Sequence, residues 1–212
     1  MTSSNTKQKV MDAACSLFYT KGYNGTSVRD IAAKAKVNVS LISYHFKNKQ
    51  GLLEYMMVHY FESYIELLDT VQLEEAEHSP RESLRRMIEV IIHYKQTNYQ
   101  FTCFIHRELT LDNVLVREMM VTYLAKEKYL LFGMFKRSLQ TLGLKNLQIN
   151  YYYIQFKGML MTPFLMPYEM REHVSFDQSH DYFMKQYSLT IINWLEYIYH
   201  TNQKPGFKQS IM

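Results

Sequence analysis

The sequence predicts an all-α fold, and three properties of the chain carry that prediction. Its 212 residues include only seven Gly and four Pro, apolar residues recur at helical spacing almost throughout, and no alternating Val/Thr/Ile run bounded by turn residues marks a strand. The length allows a sizeable core. The expected organisation is a three-helix helix-turn-helix head over 1–48, a helical bundle that dimerises over 49–202 and a polar tail over 203–212, about nine helices in all.

The first helix runs from about Thr6 to Lys21, with Val10, Ala13, Ala14, Leu17 and Phe18 on one face and Gly22 as its stop; Met1 to Asn5 is expected to fray. The second opens at Thr26 or Ser27, whose hydroxyl can accept a free first-turn N–H, and Asp30 adds negative charge where the helix dipole favours it. Val28, Ile31, Ala32 and Ala35 then share a face. Asn38 caps the third helix, and Val37 and Ile42 flank the cap at the spacing of a hydrophobic staple.

Two short helices joined by a tight turn are the shape that enters a DNA major groove. With Asn38 as N-cap, Val39, Ser40 and Leu41 form the turn that reaches base edges, while Ile42 and Phe46 pack inward. Ser43, Tyr44 and His45 can donate to phosphate oxygens, and Lys47 and Lys49 supply charge around Asn48, which is placed to cap the next helix. Tyr44, His45 and Lys49 are the leading phosphate candidates. Charge is distributed accordingly: residues 1–54 hold eight Lys/Arg against three Asp/Glu, so the head carries +5 of a total of +4 and the remainder −1.

The head resembles the TetR family of bacterial regulators. The likeness runs from Phe18-Tyr-Thr-Lys-Gly-Tyr-Asn-Gly-Thr-Ser27 through Asp30-Ile31-Ala32 to Tyr44-His-Phe-Lys-Asn-Lys49. Gly51 departs from it: the family usually places a helix-favouring acidic residue there, and Gly costs about 1 kcal/mol against Ala in a helix. Val39, Ser40 and Leu41 vary across the family, so no operator transfers by analogy. Two further segments, His106–Asp112 and Arg117–Tyr129, are similar to the RefZ subgroup of spore-forming Bacillus-type bacteria. That resemblance implies palindromic chromosomal sites, an action on cell division through the tubulin-like protein FtsZ, and chromosome capture during sporulation.

After the head, a connecting helix runs from Lys49 to about Val71, and the acidic run Glu74–Ser79 reads as a hinge-like loop. Ser79-Pro80 caps and opens a helix towards Asn98. A short helix covers Phe101–Leu109, and a long one starts at Asp112 and reaches about Leu142, with Gly143 as its stop. Two more segments follow, Asn146 to about Leu165, ending at Pro163 and Pro167, and Ser179 to about His200.

These last two helices are apolar enough to suggest a two-fold dimer. Tyr151, Ile154, Gly158 and Met161 share one face, and Tyr187, Ile191, Trp194 and Ile198 belong to the terminal stripe; TetR resemblance implies a dimer through the same pair. Two heads would then address an inverted repeat in double-stranded DNA, with half-sites about one turn, ~34–36 Å, or a multiple apart.

For the body, charges set into apolar helices, Arg107, Glu108, Arg117, Glu118, Lys126, Glu127 and Lys128, are the candidate partner surface, FtsZ being the partner that the resemblance implies. The alternative is a ligand-responsive repressor, with some of the 12 Met after residue 54 lining a pocket for a small molecule whose class no charge cluster identifies. An enzyme is not expected. There is no Gly-x-Ser-x-Gly, phosphate-cradling glycine loop or His-Glu-x-x-His, so no catalytic residue, metal ligand or cofactor is assigned, and His93 and His106 read as ordinary helix histidines.

Cys15 and Cys103 read as buried free thiols. Residues 151–168 are broken by Gln155, Lys157, Pro163 and Pro167, so no membrane span is expected, nor, from the polar stretch Met1 to Asn5, is a leader. The expected location is cytoplasmic and nucleoid-associated.

Overall fold

The computed structural model describes residues 3–169 and 180–203; the expectations for residues 1–2, for Ser179 and for the tail beyond 203 lie outside the described residues. The helices are α1 (Ser3–Lys21), α2 (Val28–Ala35), α3 (Val39–Phe46), α4 (Lys49–Leu73), α5 (Pro80–Thr97), α6 (Tyr99–Thr110), α7 (Val114–Ser138), α8 (Asn146–Leu165) and α9 (His180–Gln203), with short 3-10 turns at Glu74–Glu77 and Gln140–Leu142. No strand occurs among the described residues. By their contacts the residues group into two compact units, Met1–Ile65 with Thr97–Leu124 and Glu66–Gln96 with Ala125–Met212.

In the first unit the predicted apolar faces are the core. Val10, Ala14 and Phe18 of α1, Ile31 and Ala32 of α2, Ile42 and Phe46 of α3, and Leu52 and Leu53 of α4 are buried. Phe101, Phe104 and Ile105 of α6 complete it, Phe104 stacking on Phe18 with centroids 5.2 Å apart. The buried hydroxyls of Tyr60 and Thr102 satisfy one another at 2.8 Å, as groups removed from water must.

In the second unit Leu84, Ile88, Ile91 and Ile92 of α5 are buried, as are Leu131 and Phe135 of α7, Phe156 and Leu160 of α8, and Ile191, Leu195 and Ile198 of α9. Phe135 stacks on Phe156 at 4.9 Å.

Parts of the sequence reading change in the structure. α1 begins at Ser3, ahead of Thr6. The stretch Glu74–Ser79 is a pinned turn, not a loose hinge: both Glu75 carboxylate oxygens accept from Arg137, at 2.8 and 2.7 Å, and Glu74 pairs with Arg86 at 2.7 Å. Asp112 does not start α7. It has φ +53 in the turn before it, where Asn113 supplies the long first-turn bond to Val116 N–H at 3.4 Å. The end of α8 at Leu165 is the expected one, but the helix passes through Pro163 where the proline was read as part of its stop. Proline denies Met159 the N–H that a helix would give its carbonyl, and the Tyr187 hydroxyl of α9 donates to that carbonyl instead, at 2.7 Å.

The second unit also buries an ionic cluster. Lys95 of α5 and Glu127 of α7 are almost fully enclosed with Nζ and Oε1 4.0 Å apart, and Lys157 of α8 pairs with Glu127. Burial depresses the Lys95 pKa to about 8, more than Glu127 raises it, and Lys157 adds repulsion. The unfolded chain keeps that proton to about pH 10.4. Between pH 8 and about 10.4 the unfolded state therefore binds more protons, so this group's penalty is full below pH 8 and is relieved as pH rises. Lys95→Met should be more stable than the parent at pH 7, with the advantage shrinking between pH 8 and 10 in denaturant titrations; an advantage that does not change with pH would contradict this account.

Candidate nucleic-acid interface

Capping positions α2 and α3. The Ser27 hydroxyl accepts the Asp30 N–H at 3.1 Å while Asp30 accepts the Ser27 N–H at 2.9 Å, a reciprocal capping box, and the Ser27 hydroxyl and N–H hold the Asp30 carboxyl below its usual range. Lys36 ends α2 in the left-handed region, φ +56, with Val37 N–H returning to Ala32 O at 3.0 Å. Asn38 Oδ1 then accepts the Ser40 N–H at 2.9 Å, so the predicted cap and register of α3 are the observed ones.

With Ile42 and Phe46 buried, the remaining face of α3 points outward. At about 100° per residue, Val39, Ser40, Ser43 and Tyr44 fall within an arc of roughly 140°. All four are exposed, Tyr44 at 81%, and Leu41 is exposed beside them. His45 is half-buried, its ring 5.0 Å from that of Tyr44. Together they offer two hydroxyls, a phenol, an imidazole and two apolar groups, which suits base edges, thymine methyls and phosphates.

The turn after α3 is tight. Asn48 N–H reaches back to Phe46 O at 2.8 Å, a γ-turn centred on Lys47 at φ +67 and ψ −59. Such a conformation is rare and strained in an L-residue, and it leaves Lys47 exposed beside the α3 face. It also explains Gly51. The turn brings Phe46 O within 2.2 Å of where a Cβ on residue 51 would stand, and the Gly51 N–H is the one that Asn48 Oδ1 caps, at 2.8 Å.

Two predicted contacts take other roles. Thr26 is buried, its hydroxyl donating to Gly22 O at 2.9 Å, because the loop folds it under α2; Ser27 is the exposed cap. Lys49 is half-buried, its ammonium donating to Tyr23 O and Thr26 O, both at 2.9 Å, and lying 4.2 Å from the Tyr23 ring centroid. It ties the α1–α2 loop to the start of α4, which leaves one ammonium hydrogen for any phosphate. The exposed cations of the helix-turn-helix pair are Arg29, Lys34, Lys36 and Lys47, Lys34 donating to the Ser16 hydroxyl at 2.7 Å; Lys36 was missed because no sequence pattern marks a left-handed lysine.

The predicted partner surface divides. Glu108 and Glu127 are buried and cannot meet a partner, and Arg107 donates to main-chain carbonyls of α1. Arg117 and Glu118 are exposed, Arg117 pairing with Asp112; Lys126 pairs with Asp69 at 2.7 Å, and Lys128 is exposed. The predicted dimer residues divide too. Tyr151 (60%), Ile154 (66%) and Gly158 are exposed and Met161 is half-buried, while Ile191 (1%) and Ile198 (3%) fill their own protomer's core and Tyr187 is engaged at Met159. Trp194 is half-buried, its ring 6.3 Å from Tyr152. Leu147 and Leu165, both exposed, extend the α8 stripe at alternating spacings of four and three residues, which the sequence reading missed.

These placements separate two lysines two residues apart. Lys47→Ala should flatten the dependence of log affinity on log salt by about one unit, one phosphate contact, with little change in folding stability. Lys49→Ala should leave that slope unchanged and destabilise the head by about 1–3 kcal/mol, because the Thr26 carbonyl loses the ammonium and the Tyr23 carbonyl keeps only the long bond from Thr26 N–H at 3.3 Å. Salt-dependent binding and denaturant unfolding of both variants check this, and a flattened slope in Lys49→Ala would return it to the phosphate contacts.

Comparison with known proteins agrees with this geometry. Residues 10–56 match the model of bacterial regulatory proteins, tetR family. A relative from Bacillus subtilis strain 168, a probable HTH-type transcriptional regulator YttP, is 36% identical over 197 residues, covering 93% of this chain and 95% of that protein. The head alone is 40% identical over 48 residues to IcaR, the negative regulator of the biofilm operon icaADBC in Staphylococcus aureus, covering 23% of this chain and 26% of that protein. Among solved structures, the regulator PfmR from Thermus thermophilus superposes with a TM-score of 0.68 at 20% identity, covering 87% of this chain and 97% of that one. FadR from Bacillus subtilis, solved in complex with stearoyl-CoA, superposes at 0.65 with 18% identity, covering 89% and 96%. At such identities the superpositions speak for the fold, and the near full-length relative for the lineage. The chain belongs to the TetR family of bacterial DNA-binding transcriptional regulators.

Proposed function

We propose that this chain regulates transcription as a homodimer that reads an inverted repeat through α3 and responds to a small-molecule effector taken up by its body. The observation that carries the DNA half is the outward face Val39, Ser40, Ser43 and Tyr44, set by the Asn38 cap and flanked by Lys36 and Lys47. For the dimer, the support is the α8 stripe Leu147, Tyr151, Ile154, Gly158 and Leu165: a row of apolar residues left in water at coiled-coil spacing is the usual mark of a partner helix. At Gly158 a Cβ would meet nothing within 4 Å, so a second backbone has room to approach.

The effector half rests on the second unit. An open surface groove of about 830 Å³ there is walled by Leu73, Tyr129 and Leu130 with Gln72 and the Lys126–Asp69 and Arg137–Glu75 pairs, a place where a small ligand with both apolar and polar groups can lie. FadR, with the same fold, holds stearoyl-CoA.

A second reading has the same head address chromosomal sites for FtsZ-linked control of division during sporulation. What favours it is the likeness of His106–Asp112 and Arg117–Tyr129 to the RefZ subgroup, with Arg117, Glu118 and Lys128 as its exposed residues. Mapping the protein's chromosomal occupancy in its own cells, in growth and in sporulation, separates the two. We expect occupancy at one or a few promoters; a set of inverted repeats ranged about the replication origin and away from promoters would replace the transcriptional reading with the division reading.

A further inference from the structure

A left-handed residue at a helix end is ordinarily glycine, because a Cβ there crowds the neighbouring carbonyl. Away from α3 the described residues of this chain suit the conformation: Gly22 closes α1 at φ +75, Gly143 precedes α8 at φ +65, and Asp112 at φ +53 has a short polar side chain of the kind that can bond locally. At both ends of the reading helix the chain uses lysine instead. Lys36 stands before α3 at φ +56 and Lys47 after it at φ +67, and a lysine side chain gives the left-handed backbone no local support.

The folding of α2 does not call for a lysine at 36. Positive charge near the end of the α2 dipole is already supplied by Lys34 in the last turn, whose ammonium donates to the Ser16 hydroxyl of α1 at 2.7 Å. The turn itself is closed by main-chain bonds, Lys36 N–H to Ala33 O at 3.3 Å and Val37 N–H to Ala32 O at 3.0 Å, which glycine would make as well. The Lys36 side chain is exposed and makes no hydrogen bond or ion pair among the described residues. Its place, however, is beside the first turn of α3. Successive Cα atoms are about 3.8 Å apart, so the Lys36 Cα lies within about 7.6 Å of that of Asn38. A major groove is about 12 Å wide, and with Val39 and Ser40 at base edges the long Lys36 stem is within reach of the phosphates that border the groove.

We propose that Lys36 is a phosphate contact kept in a left-handed turn at the expense of folding stability. An unfavourable backbone conformation persists where the surrounding structure makes use of it, and its recurrence at Lys47, the exposed lysine at the other end of α3, gives both cases one explanation. The proposal rests on the reading of DNA through α3 stated above and deepens it: a residue outside α3 holds the DNA backbone, and glycine, which suits the turn better, is the poorer binder.

The test uses the full chain and a duplex selected from random sequence with the wild-type protein. Affinity is measured over a range of salt for that duplex and for a scrambled one, with Tm alongside. Lys36→Gly should lower the slope of log affinity against log salt by about one unit and weaken both duplexes alike, about three- to tenfold, because a phosphate contact carries no sequence information. Its Tm should match wild type or exceed it by up to about 4 °C. Lys36→Arg keeps the charge and should keep the slope, and Lys34→Ala should keep it too, since that ammonium is tied to α1. An unchanged slope in Lys36→Gly overturns the proposal. An equal loss of slope in Lys34→Ala also overturns it, because the measurement would then be counting the overall charge of the head. So does a Tm lowered by more than about 3 °C in both Lys36→Gly and Lys36→Asn, a second residue that accepts the left-handed region, for the lysine would then be part of the turn's own structure. Failure of the underlying reading shows separately: wild type that binds selected and scrambled duplexes equally reads no sequence, and the proposal falls with that reading.

Discussion

An eight-residue helix is unstable alone in water, and α3 is eight residues long. Much of the head serves to hold it. Ile42 and Phe46 anchor one side, Asn38 satisfies its first turn, and the γ-turn at Lys47 returns the chain into α4. Lys49 then binds the start of α4 to the α1–α2 loop, and Gly51 leaves the space that the turn needs. Once two residues of so short a helix are fixed inward, the orientation of every other side chain follows, and the exposed face is a consequence of the anchoring.

The same reasoning extends to the polar groups that look functional in the sequence. Arg107, Glu108, Lys49, Glu127 and Tyr187 are each bound to a group that folding brings to them: the end of α1, the α1–α2 loop, a buried lysine, or the oxygen freed by Pro163. A buried polar group must find such a partner. Charged residues within apolar helices therefore mark joints as often as surfaces, and here they mark the joints between α1 and α6, between α5, α7 and α8, and between α8 and α9.

The head was readable because its determinants are local. Caps, the staple spacing and the apolar periods of α1 to α3 lie within a few residues of what they control, and the register of α3 followed from Asn38 alone. The misread residues depend on contacts distant in sequence: Arg107 lies 88 residues from the Tyr19 carbonyl it binds, and Lys49 is 26 from Tyr23. Gly51 looked like a defect because propensity scales describe a helix interior, whereas its place follows the γ-turn before α4. In the terminal helices periodicity identified an apolar stripe but not its direction, so Ile191 and Ile198 were assigned to a partner, although the protomer buries them, while Leu147 and Leu165 went unnoticed.

The central claim is that a short, well-anchored α3 is the surface this protein presents to DNA. Amide hydrogen exchange of the full chain, free and bound to its selected duplex, tests it most directly. The account predicts slowed exchange from Ser27 through Lys47, greatest in α3. Unchanged exchange in α3, with protection elsewhere in the chain, would contradict it.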